Sequence, residues 1–143
     1  MHRIARWWIA PVLLLAAALL ATPLLTAPPP AAAAAATHTL TGSYLWEQGG
    51  DRGPLEAVFT PAGDLRWDVS FHFEHGGSNH TYTGTAEGHL DEGALSGKVQ
   101  ADRRRRTFTF RGEFKNGKFS GTHAEVMGND QQRTGTFTMS PKS

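Results

Sequence analysis

His123 and Glu125 are the two side chains whose types and spacing come nearest to chemistry. Two residues apart on an extended strand, they face the same way and set an imidazole beside a carboxylate. Such a pair can hold a polar head group, move a proton, or contribute to a metal site, although two ligands do not define one. The plain alternative is structural: the two groups satisfy each other, or sit in water at the rim of the fold. A buried charge must be paired or neutralised, at a cost of several kcal/mol otherwise, so the pair marks a place of interest either way.

Other candidates carry less. His72 and His75 have H-x-x-H spacing, with His80 and His89 further on, but His72 is expected to face solvent and residues 74–80 read as a mobile loop. The run Arg103 to Arg106 falls at a hairpin tip, where it blunts aggregation or docks on an anionic surface. Trp46 and Trp67 would stack on sugars if exposed, yet their alternation points them inward. No G-x-S-x-G, H-E-x-x-H or phosphate loop occurs, and no cofactor is expected.

The elements that position these groups follow from a repeat. Residues 88–97 (GHLDEGALSG) and 112–121 (GEFKNGKFSG) share the pattern G-x-Φ-x-x-G-x-Φ-S-G, with Φ a large apolar residue. This is a duplicated β-hairpin. In the second copy a two-residue turn at Asn116–Gly117 sets Phe114 opposite Phe119, Gly112 opposite Gly121, Phe110 opposite His123 and Phe108 opposite Glu125. The same register in the first copy pairs Leu90 with Leu95, Gly88 with Gly97 and Ala86 with Val99. Where that copy has Val99 and Ala101 on the inner face, the second has His123 and Glu125. A turn through Pro61, Ala62 and Gly63 is expected to pair Phe59 with Leu65 and Ala57 with Trp67.

Period-two alternation runs through residues 37–143, and no helical apolar series survives more than a turn. Eight strands are predicted, near 40–47, 55–60, 64–74, 80–90, 94–102, 105–115, 118–127 and 133–140. The fold class is all-β, an eight-stranded antiparallel up-and-down meander. It buries its apolar face by closing into a barrel, with two packed layers as the alternative. The inner face would hold Tyr44, Trp46, Phe59, Trp67, Phe71, Phe73, Tyr82, Phe108, Phe110, Phe114, Phe119 and Phe137, interleaved with glycines. Those glycines either open space for a ligand or let strands bend while rings fill the gaps, and the second fits so short a chain.

Arg3 and Arg6 precede an apolar stretch from Trp7 to Ala27, then Pro28 to Pro30 and an alanine run to Ala36. Residues 1–36 read as a signal peptide with its Pro/Ala-rich cleavage region, and a retained membrane anchor is the rival. Residues 37–143 then make one barrel domain, secreted or periplasmic. With 14 basic residues, two of them in the leader, 12 remain against 13 acidic ones. A mature net charge near −1 gives no field for nucleic acid. The absence of Cys rules out disulfides, so the apolar core alone holds the fold.

The segment Thr41-Gly42-Ser43-Tyr44 is similar to the T-G-x-W opening of lipocalins and avidins, with Tyr44 in place of Trp, and Gly135 to Met139 looks like the last strand of an avidin-type barrel. The resemblance implies a calycin-like barrel and covers only the two ends; the ligand residues of avidins find no counterpart. The reading is therefore a non-catalytic binder of a small apolar or amphipathic ligand. The ligand site would comprise His123, Glu125, Trp67, Phe71, Tyr82, Phe108, Tyr44 and Trp46. One alternative is an envelope interaction module or protein inhibitor acting through rim loops, with an envelope protein as partner. The other is a cofactor-free barrel isomerase or cyclase.

Overall fold

The computed structural model describes residues 36–103 and 105–143; the predicted leader, up to residue 35, lies outside them. Eight antiparallel strands follow one another: β1 (His38–Trp46), β2 (Arg52–Gly63), β3 (Arg66–His75), β4 (Ser78–Gly88), β5 (Gly93–Ala101), β6 (Thr107–Lys115), β7 (Lys118–Met127) and β8 (Asp130–Pro141). Each pairs with the next, and β8 returns to β1 from Leu40 opposite Pro141 to Trp46 opposite Gly135. The meander closes as a barrel rather than splitting into two layers, which leaves no strand edge unpaired.

Turn chemistry sets the ends of the strands. Asn116 and Gly117 both adopt positive φ, as a primed turn demands, and every pairing expected in the second hairpin is present. The first hairpin departs from its copy. Gly88, not Leu90, lies opposite Leu95, and Ala86 lies opposite Gly97. Glu92 and Gly93 stand where the second copy has Asn-Gly, and Glu92 does not take the left-handed backbone that Asn116 does. The chain instead leaves β4 at Gly88 (φ 125°) and re-enters at Gly93 (φ 108°), with a four-residue loop between.

Two further expectations are corrected. Between β2 and β3 the turn falls at Asp64–Leu65, so Phe59 pairs with Val69, Ala57 with Phe71 and Trp67 with Pro61, with a bulge between Pro61 and Gly63. The tighter turn lengthens both strands and exposes Leu65 (50 %), whose carbonyl accepts a hydrogen bond from the Gly88 amide at 2.8 Å. Residues 74–80 are no loop: β3 runs to His75 and β4 begins at Ser78, joined only by Gly76–Gly77 at positive φ.

The interior is a core, not a channel. Phe59, Phe114 and Phe119 are fully buried, with Phe71, Phe108, Phe110 and Phe137 nearly so. Rings occupy the space that Gly97, Gly112 and Gly121 leave. A Cβ on Gly97 would lie 2.5 Å from the Phe110 ring, and one on Gly112 would lie 2.5 Å from the Phe119 ring.

Candidate functional site

The barrel has two unlike ends. At one, the 64–65, 89–92 and 116–117 connections gather with the start of β1 and the end of β8. At the other, which we call the mouth, β1, β3, β5 and β7 finish, and residues 47–51, 76–77, 102–106 and 128–129 connect them to the next strands. Just inside the mouth a cavity of about 60 Å³ is walled by Tyr44, Trp46, Phe71, Phe73, Tyr82, Phe108, Phe110, His123 and Phe137, with Leu55 and Val99. That is room for about four water molecules.

Six of the eight residues singled out from the sequence meet at this cavity: Tyr44, Trp46, Phe71, Tyr82, Phe108 and His123. Trp67 does not line it. Its ring lies against His38, where β1 begins, and its Nε1–H donates to the Gly88 carbonyl at 2.9 Å. Glu125 does not line it either, and the expected imidazole–carboxylate pair is not made. The Glu125 carboxylate is gripped by Arg106 in a two-point clamp, Nε to Oε1 at 2.7 Å and Nη2 to Oε2 at 2.6 Å. The side chains are 20 % and 39 % exposed, which puts the pair at the lip of the mouth. The Arg106 guanidinium also lies 5.1 Å above the Phe108 ring, on the cavity wall. The clamp holds the Glu125 carboxyl below its ordinary pKa, against a smaller opposing effect of burial.

His123 finds a different partner. Opposite it, β8 carries one extra residue: His123 pairs with Gly135 and Ala124 with Arg133, so Thr134 bulges out of the ladder. The Thr134 hydroxyl lies 2.7 Å from His123 Nδ1 and 3.2 Å from the His123 carbonyl. The imidazole stands edge-to-face with Trp46, ring centroids 4.7 Å apart. Burial lowers the His123 pKa, offset in part by a hydrogen bond to the Leu45 backbone and by the charge of Glu47. The ring is therefore neutral near pH 7.

That direction makes a prediction. In the unfolded chain histidine protonates near pH ~6.5, while folded His123 resists protonation until lower pH. The unfolded state binds the extra proton between those two values, so acidification through this window must cost stability. His123→Val, which copies the residue of the first hairpin, is expected to flatten the decline in urea midpoint between about pH 7 and pH 5. An unchanged decline would mean that the ring is not desolvated.

The remaining polar groups are mostly spent. Tyr44 donates its hydroxyl to the Glu74 carbonyl across the mouth, and Arg133 clamps Glu47, with Nε donating to Oε1 at 2.9 Å. Trp46 Nε1 is buried and has no hydrogen-bond partner. Among the described residues no three His, Asp or Glu side chains converge as a metal ion needs. His72 lies outside the barrel against Ser70 and Thr81, and His80 stacks on Phe73.

Sequence reasoning missed the partners rather than the cavity. Thr134 gives no sign of a bulge, and Arg106 reads as one of four solvated arginines. Val99, Phe110 and Phe137 were expected inside but not at the site. Comparison with known proteins found no matching family model, no matching curated protein and no matching solved structure.

Proposed function

We propose that this protein is a secreted or periplasmic, non-catalytic binder that takes the apolar part of a small ligand into the mouth of its barrel, in the manner of a calycin. The observation that carries the reading is the contrast within one interior. Rings pack against Gly97, Gly112 and Gly121 in the barrel wall, while the mouth keeps an aromatic cavity of about 60 Å³. Apolar pockets with few polar groups are the usual form of small-molecule sites. A leader with Arg3 and Arg6 before an apolar stretch supports export, and the avidin-like first and last strands support the calycin comparison. An isomerase or cyclase is favoured less, because Glu125 is tied to Arg106 and offers no base to the cavity.

Native mass spectrometry of protein purified from its own cell envelope tests the reading. The expected spectrum shows a mature chain beginning among Ala33 to Ala36 and carrying a small mass that is lost on denaturation. A bare chain that also gains no thermal stability from small apolar probes would overturn it and favour a rim-loop interaction module.

A further inference from the structure

We propose that His123 is an acid-operated release switch: the cavity takes an uncharged apolar group while the imidazole is neutral and lets it go once the ring is protonated. This rests on the cavity reading above and deepens it by naming its regulation. The geometry admits both forms of the ring. In the neutral form the Thr134 hydroxyl donates to Nδ1 at 2.7 Å, which leaves the ring proton on Nε2, facing the Leu45 carbonyl. On acidification a proton from solvent joins Nδ1, which then donates to the Thr134 oxygen, and the Thr134 hydrogen turns to the His123 carbonyl, 3.2 Å away. The bulge makes this exchange possible, because it sets one hydroxyl between two acceptors. Thr134 is only half-buried and keeps contact with the water that supplies the proton.

The charge then stands on the cavity wall, where the nearest carboxylates are already committed. Glu47, just after β1, closes on Arg133 of β8 at 2.9 Å, and Glu125 of β7 closes on Arg106 at 2.7 Å. From β6 the ring faces Phe110, and Phe137 of β8 lies 6.1 Å from it. Beyond Trp46, β3 presents His75, its ring 6.1 Å from the indole, which can add positive charge but not remove it. The phenols of the wall, Tyr44 and Tyr82, stay protonated in acid. An aliphatic group pressed on the charged imidazole would strip water from it, so ligand and proton oppose each other, and by linkage each weakens the other equally.

1-Butanol is uncharged throughout and its four carbons suit the space of about four water molecules, and its binding can be followed by protein NMR. Its affinity is expected to be about tenfold weaker at pH 4.5 than at pH 7.5, the effect of displacing one titration by one pH unit. The loss sets in below pH ~6.5, since burial lowers the His123 pKa from its ordinary value. In the wild type, the NMR titration of the His123 ring should itself move to lower pH when 1-butanol is added. In His123→Val the affinity should not vary with pH; His75 and His80 remain in that variant, which separates their titration from that of His123. Thr134→Val removes the acceptor of the charged form, a stronger bond than the neutral one lost with it, and is expected to move the loss to lower pH. An affinity independent of pH, a ring titration unmoved by 1-butanol, or an equal loss in His123→Val would overturn the switch while 1-butanol binding upheld the cavity. A loss unmoved by Thr134→Val would overturn the part given to Thr134. Failure of 1-butanol to bind at either pH would overturn the cavity reading and this inference together.

Discussion

Gly135→Ala is expected to lower stability by about 3 kcal/mol, the upper end of what overpacking costs, because the added carbon has nowhere to go. A Cβ at this position would lie 1.9 Å from the Leu45 carbonyl oxygen and 2.7 Å from His123 Nε2. The first obstacle is backbone, and it belongs to the neighbouring strand at the closure: Gly135 lies opposite Trp46 of β1 on one side and His123 of β7 on the other. Relief requires β1 and β8 to part where the barrel is sealed. For a domain of this size the loss corresponds to a fall in melting temperature of roughly 15 °C. The imidazole would also be driven off the Trp46 ring, so the effect reaches the cavity. Thermal unfolding read by circular dichroism checks it, and a fall of only a degree or two would mean that the seam does not close this tightly.

Phe71→Ala should cost more, about 3 to 5 kcal/mol. Phe71 is 7 % exposed and meets Phe59, Phe110 and Phe137 edge-to-face at centroid distances of 6.3, 5.2 and 5.9 Å. These contacts add to the burial of its own surface. The ring also forms part of the cavity wall, so its deletion enlarges existing space rather than opening a sealed void. The variant is expected to bind benzene, which apolar cavities of about 150 Å³ admit, and to be stabilised by it. Benzene should stabilise the wild type less, because its cavity of about 60 Å³ is smaller. A loss below about 2 kcal/mol would show that neighbouring rings collapse into the gap, and absence of a benzene response would lead to the same conclusion.

Much of the barrel was legible because parity survives errors of register. Phe59 was expected opposite Leu65 and lies opposite Val69; Leu95 was expected opposite Leu90 and lies opposite Gly88. Both slips are even, so every side chain kept its face, and the inner list of rings was right although two hairpins were misaligned. The second hairpin was read correctly throughout because Asn-Gly permits only one tight turn. The first was not, because Glu92 stands where the turn needs Asn, and a glutamate does not readily take the left-handed backbone of a primed turn.

The site divides along the same line. Alternation and turn residues determined that Tyr44, Trp46, Phe71, Tyr82, Phe108 and His123 look inward, since those are local properties of a pleated strand. Partnership was settled only by tertiary structure. The Thr134 bulge gave His123 a hydroxyl, the β5–β6 connection brought Arg106 onto Glu125, and closure of β1 on β8 set Glu47 beside Arg133, 86 residues away. A side chain's direction follows from its nearest neighbours in the chain, but what it meets there depends on how strands far apart in sequence are brought side by side.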